Sequence, residues 1–329
     1  MSDAATFPAE MVMKIATGFM GSKYLFAGVD LGLFEHLARG PLDLEALAAR
    51  ANAPPRTVRI VADALVALGL LNRGPEGYRN APAAQSLLSG EGPADLRPAL
   101  RLYDRISYPD WADLGRVVRT GEPARRALTE EDQAVLSAGV EALSASAASA
   151  LAMVYDFSSH RRLLDLGGGT GAFLVAVLQR YPNLSGTLMD RPAVTGMARE
   201  RLTATSLTGR AAVIAGDILE DELPGGHDVV LIANVMHLMA PRKNQDLLRR
   251  VRSRAVPGDR LLLVDFFTDP TRTKPLFAAM MAGSFLTGYG EGDVYSEDEV
   301  THWIEGAGWR KAAFHELSGA ARLIVAAPA

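Results

Sequence analysis

Cysteine is absent from all 329 residues. Disulfides, thiolate metal sites and a thiol nucleophile are therefore excluded. Surplus charge is scarce too: 34 lysines and arginines face 38 aspartates and glutamates, a net −4. That balance offers no electrostatic draw toward nucleic acid or an anionic membrane. Of the six histidines, those at 36, 160, 227, 302 and 315 show no ligand spacing with His237. No oxygen cluster of the kind magnesium needs is recognisable, so no metal is expected. No run approaches the ~18 apolar residues of a membrane span. The opening Met-Ser-Asp-Ala-Ala-Thr-Phe-Pro lacks the basic-then-apolar profile of a signal peptide. The expectation is a soluble, cytoplasmic protein with neither a membrane nor a nucleic-acid partner. What is present is ordinary for a globular chain, with 48% apolar and 22% charged residues. The length suffices for two domains and a sizeable core.

Residues 1–100 read as almost wholly helical. One helix runs from Pro8 to Gly28 and a short one from Leu31 to Ala38. Asp43 is the expected N-cap of a third, which Pro54-Pro55 ends. From Arg56 to Leu71 the apolar residues Val58, Val61, Leu65, Leu68 and Leu71 form a helical stripe. Asn72 to Tyr78 then reads as a hairpin tip. Helix, turn, helix, hairpin is the outline of a winged helix, which raises the possibility of DNA binding. Between Pro41 and Gly90, however, five arginines (50, 56, 59, 73, 79) oppose four acids (43, 45, 63, 76). A DNA reader concentrates positive charge on its recognition helix, whereas this one carries Arg56 and Arg59 and then turns apolar. An apolar face packed against another subunit is the plainer reading.

From Arg161 strands and helices alternate. Strands are expected at 162–166, 186–190, 211–216, 228–233 and 260–265. Helices are expected at 172–180, 192–206, 242–255 and 273–288. This is a doubly wound α/β domain with a mainly parallel sheet. The tail differs: a helix at Ser296–Ala307 precedes strands at Arg310–His315 and Arg322–Ala327. Such a hairpin adds one antiparallel strand.

The first strand of that domain ends in Asp165-Leu166, followed by Gly167-Gly168-Gly169-Thr170-Gly171 and a helix. Glycines let a ligand approach the backbone and accept φ > 0, and the helix start offers unpaired N–H groups. The pattern fits dinucleotides as Gly167-x-Gly169-x-x-Ala172, and it fits S-adenosylmethionine equally. Asp190, 23 residues after Gly167, suits ribose hydroxyls in either case. Three features favour S-adenosylmethionine. Asp217 can meet an adenine amine. Asp165 suits an ammonium and would repel a pyrophosphate. The five-strand-plus-hairpin tail matches a methyltransferase sheet better than a dehydrogenase one. Arg191, Ile218 and Asn234 follow three of the strand ends and complete the expected cofactor set with Asp165, Gly167, Gly169, Gly171, Asp190 and Asp217.

Taken together, Tyr155-Asp156-Phe157-Ser158, Asp165 to Gly171, Gly216-Asp217, Asn234-Val-Met-His237, Pro257-Gly258-Asp259, Leu262 to Asp265 and Ala307-Gly308-Trp309 form a specific set. The chain resembles the small-molecule O-methyltransferases that carry an N-terminal winged-helix dimerisation domain, found in plant phenolic and bacterial natural-product pathways. The resemblance implies a class I methyltransferase sheet over 161–329, a winged-helix dimerisation domain over 1–100 and a helical linker over 101–160 that contributes to the substrate pocket. It also implies a homodimer whose N-terminal helices help wall the partner's pocket. The acceptor would be an aromatic or polyketide-like small molecule. In this family the His237 position is the general base. A phenol has a pKa of about 10, so a neutral imidazole must take its proton. Asp265 is then the residue that orients the imidazole.

The sequence also departs from the family. His-Asp-Trp becomes His237-Leu238-Met239, and a lysine expected four residues before the base is Ala233. The segment bearing a second acid becomes Val294-Tyr295-Ser296, with Asp293 one place away. These changes keep carbon or nitrogen methylation open beside oxygen, as well as a non-catalytic winged-helix regulator. Met280, Met281, Phe285, Leu286 and Tyr289 fall on one helical pattern, and Met11, Met13, Phe19 and Met20 on another. Both suit either ordinary core or an adaptable acceptor pocket, which Tyr103, Tyr108 and Trp111 could also reach.

Overall fold

The computed structural model describes residues 9–124 and 127–329. The opening eight residues, including Pro8 of the first expected helix, lie outside them. The chain divides into two compact units, Met1–Tyr108 with Leu128–Ala142, and Pro109–Ala127 with Leu143–Ala329. Residues 101–160 are thus shared between the two units and form no third one.

In the first unit, helices span Ala9–Asp30, Leu33–His36, Leu44–Arg50 and Pro55–Ala67. Asp43 caps the third, accepting the Ala46 N–H at 2.8 Å. Prolines at the start of the fourth fit because the first turn needs no N–H donor. Its stripe buries Val58, Ala62 and Leu65, but the helix stops at Ala67. Gly69, at φ 75°, turns the chain, and Leu71 opens a strand. The expected helix to Leu71 is corrected accordingly. Strands β1 (Leu71–Gly74) and β2 (Gly77–Asn80) pair antiparallel as the wing. Val29, Leu33, Phe34, Leu47, Leu65 and Tyr78 centre the core of this unit. Burying each such apolar side chain contributes about 1.5–3 kcal/mol. Asp63 sits on the Pro55–Ala67 helix between two arginines and the wing. It accepts from Arg59 at 2.9 Å, Arg73 at 3.1 Å and the Tyr78 hydroxyl at 2.7 Å. The Tyr78 hydrogen bond, joined by the two arginines, holds its carboxyl below the usual range. Basic charge on the winged helix is therefore partly cancelled within the fold.

The second unit contains a seven-stranded sheet. Its strands are β3 (Arg162–Leu166), β4 (Ser185–Asp190), β5 (Ala211–Ala215), β6 (Val229–Ala233), β7 (Arg260–Phe266), β8 (Trp309–Glu316) and β9 (Ala321–Pro328). The order is β5-β4-β3-β6-β7-β9-β8. β3 to β7 are parallel, and β9 runs antiparallel between β7 and β8. The C-terminal hairpin thus adds one reversed strand, as expected. Helices Ala172–Arg180, Pro192–Ala204, Pro241–Arg252, Leu276–Tyr289 and Glu297–Gly306 connect or flank the strands. Two clusters form the core, one around Leu163, Leu174, Leu188 and Leu231, the other around Leu166, Ile232, Leu263 and Trp309. Successive residues of one strand fall in different clusters because side chains alternate faces.

The helix Glu130–Val154 is long and apolar enough to cross a membrane by length and composition alone. The expectation that no stretch approaches a span is corrected for it. Its apolarity comes largely from alanine, and Ala147, Ala148, Leu151 and Ala152 belong to a protein core.

Candidate active site

The C-terminal ends of five parallel strands bring the chemistry to one edge. β3 lies between β4 and β6, where successive connections leave in opposite directions. A crevice is expected at that switch point. There the chain turns from β3 into the helix Ala172–Arg180 through Gly167, Gly169 and Gly171, at φ 71°, 57° and 84°. Non-glycine residues rarely adopt these values. A Cβ on Gly168 would stand 2.6 Å from Asp165 Oδ2 and 2.7 Å from Leu188.

Asp190 ends β4. Its Oδ2 accepts the Gly169 N–H at 2.7 Å, and its Oδ1 accepts the Arg191 N–H at 2.6 Å. Asp190 therefore braces the turn and keeps lone pairs free beside it. Arg191 is exposed and stands at the N-terminal boundary of the next helix without a side-chain capping bond. Asp217, beyond β5, accepts the Leu219 N–H at 2.8 Å, and Ile218 packs on the sheet core. Asn234 leaves β6 in the left-handed region at φ 57°, its amide donating to Ser144 Oγ at 3.2 Å.

Asp165 is fully buried, and neither of its oxygens has a hydrogen-bond partner. Burial, reinforced by the Asp190 carboxylate, pushes its pKa up to about 7. The orphaned acid beneath a backbone cradle fits a cofactor that brings its own positive charge. Because the carboxyl is enclosed, it would act on such a charge across the turn and not by surface contact.

His237 and Asp265 are brought together. The imidazole Nδ1 lies 2.6 Å from Asp265 Oδ1, and the His237 backbone N–H donates to Oδ2 at 3.3 Å. The Phe266 N–H completes the set, donating to Oδ1 at 2.8 Å. Exposure is 7% for His237 and 2% for Asp265. Asp293, the nearest replacement for a second acid, is spent on Arg272, which also pairs with Glu299. Val294 and Tyr295 are buried, and Ser296 caps the helix Glu297–Gly306. That segment is structural, and Met239 belongs to the core.

Two contacts with His237 escaped sequence reasoning, which placed Phe285 only on a core or pocket pattern. Phe285 lies flat on the imidazole, with ring centroids 4.0 Å apart and planes 18° apart. Gly292 approaches from behind, where a Cβ would stand 2.2 Å from the His237 carbonyl oxygen. The alternating glycines of Gly288-Tyr-Gly-Glu-Gly292 were the available signal for that approach. Trp111 rests on Gly283 and donates to Ser284 Oγ at 3.1 Å, one residue before Phe285.

This sheet, with its glycine turn and strand-end acids, defines a class I methyltransferase. Residues 121–310 match the O-methyltransferase domain, and residues 13–90 the O-methyltransferase dimerisation domain. A 3-hydroxy-5-methyl-1-naphthoate 3-O-methyltransferase from Streptomyces sahachiroi is 33% identical, over 91% of this chain and 88% of that protein. The N,N-dimethyltransferase OxyT from Streptomyces rimosus is 29% identical, over 92% and 91%. The crystal structure of human N-acetylserotonin methyltransferase with SAM has a TM-score of 0.89 at 26% identity, covering 100% of this chain and 99% of that one. The chain belongs to the S-adenosylmethionine-dependent O-methyltransferases with an N-terminal dimerisation domain. That domain supports a homodimer acting on a small molecule.

Proposed function

We propose that this enzyme methylates a hydroxyl of an aromatic or polyketide-like small molecule in secondary metabolism, with His237 as general base. The observation that carries the proposal is the buried His237–Asp265 pair, set at the same sheet edge as the glycine turn. Asp265 gathers three donors, so Nδ1 carries its hydrogen toward the carboxylate and Nε2 keeps its lone pair. Nε2 then takes the acceptor's hydroxyl proton, while Asp265 holds the ring and stabilises the imidazolium. Phe285 and Phe266 flank the imidazole with apolar surface that excludes water.

Bound S-adenosylmethionine supplies an electrophilic methyl group on a sulfonium. Gly167, Gly169 and Gly171 give its backbone cradle. Asp190 is assigned to the ribose hydroxyls, Asp217 to the adenine amine, and Asp165 to the ammonium through its field. Arg191, Ile218 and Asn234 border the same site. Residues 161–329 contain all these groups. Trp111, from the 101–160 segment, stands on the helix that carries Phe285.

The test is His237→Ala, assayed with a hydroxynaphthoate, the acceptor class named for the Streptomyces sahachiroi relative. Turnover should fall about 10²–10⁴-fold, with calorimetric binding of S-adenosylhomocysteine unchanged. Full activity would overturn the base and favour transfer driven by proximity and alignment alone.

A further inference from the structure

Proton transfer to His237 creates a cation on a buried side chain, and the groups around that cation are few. β7 contributes one counter-charge, Asp265, on the Nδ1 side. The 290–295 segment carries three ionisable side chains, each engaged elsewhere. Glu291 pairs with Lys243 at 2.6 Å, and Asp293 pairs with Arg272. The Tyr295 hydroxyl, pushed up to about 12 by burial, donates to the Met239 carbonyl at 2.6 Å. The helix Leu276–Tyr289 brings no charged side chain. What it brings is Phe285, 6% exposed, whose ring covers one face of the imidazole at 4.0 Å. Phe266 stands 5.9 Å away, tilted by 33°.

An aromatic face carries negative potential and attracts a cation within about 6 Å of its centroid, more strongly once both are desolvated. The same ring gains little from a neutral imidazole. Its attraction therefore appears mostly as His237 takes up the proton, and only such differential binding raises turnover.

We infer that Phe285 is a positioning residue for the transfer step: its ring fixes the plane of His237 and supports the imidazolium by a cation–π contact. The inference rests on the reading of His237 as base. The segment that bears a second acid in the family is apolar and buried here at Val294, and the helix before it lays the Phe285 ring on the imidazole.

The experiment replaces Phe285 by 4-fluoro-, 3,5-difluoro- and pentafluoro-phenylalanine, which keep the ring's shape and progressively drain its face of negative potential. Phe285→Leu and Phe285→Trp complete the series. Turnover should fall stepwise with fluorination and by about 2- to 30-fold in the leucine variant, at unchanged KM. The acid limb of the kcat–pH profile should move to lower pH, because loss of the contact destabilises the protonated base. Tryptophan, the better cation–π partner, should restore turnover. A flat fluorinated series with an unmoved acid limb overturns the inference, because a purely steric wall would behave that way. The His237→Ala variant separates the two failures. If it is inactive and the series is flat, only the role of Phe285 falls. If it is fully active, the base and the inference fall together.

Discussion

Asp165 shows how one residue joins stability to cofactor recognition. A carboxyl with no partner, enclosed beside Asp190, is costly to ionise, and its pKa rises to about 7. The folded protein therefore holds a proton there that the unfolded chain releases near pH 4. The contribution of Asp165 to stability falls as pH rises from about 4 to about 7, then levels off. Asp165→Asn removes this cost. Its thermal midpoint, without cofactor, should exceed that of the parent by a margin that grows up to about pH 7 and is constant above. Its affinity for S-adenosylhomocysteine should drop. A margin independent of pH, measured by scanning calorimetry, would sink the account. That Asp165 precedes the glycines was legible in the sequence. Its complete enclosure was not, because burial depends on Leu188 and Leu231, which β4 and β6 place in register with it.

At the scale of elements, the site depends on segments whose ends are set locally and whose meetings are not. Asp43 as an N-cap and the glycine turn were readable, because capping and positive φ act within a few residues. The helix to Leu71 was misjudged because a spacing of three or four residues continued across a chain reversal. The approach of Gly292 to His237 joins a loop to a short helical turn across long sequence separation, which no local pattern records. Gly292→Ala puts a methyl 2.2 Å from the His237 carbonyl oxygen, against backbone that cannot rotate away. Turnover should fall at least tenfold as the base shifts, and the thermal midpoint should drop, with cofactor affinity retained. Parent-like turnover in that variant would show that the segment yields without disturbing the base.

For the whole molecule, the helix Ala9–Asp30 leaves Met11, Val12, Met13, Ile15, Phe19 and Met20 exposed. Apolar surface on that scale marks an interaction site, and the dimerisation match covers this helix from residue 13. Carrying Phe19→Glu and Met20→Glu together should turn the dimer into a monomer in sedimentation velocity. A dimer of unchanged stability would place the contact elsewhere.

The sequence alone settled what short range decides: no disulfide or thiolate chemistry, a strand–glycine turn–helix at 162–180, alternating strands and helices, and one reversed strand at the end. Each follows from composition, period or a backbone conformation held by neighbouring residues. Tertiary structure alone decided that Asp265 reaches His237, that Phe285 covers the imidazole, and that Asp165 has no partner. Parallel pairing and helix packing join residues far apart in the chain, and a side chain's burial and charge balance exist only once they have met.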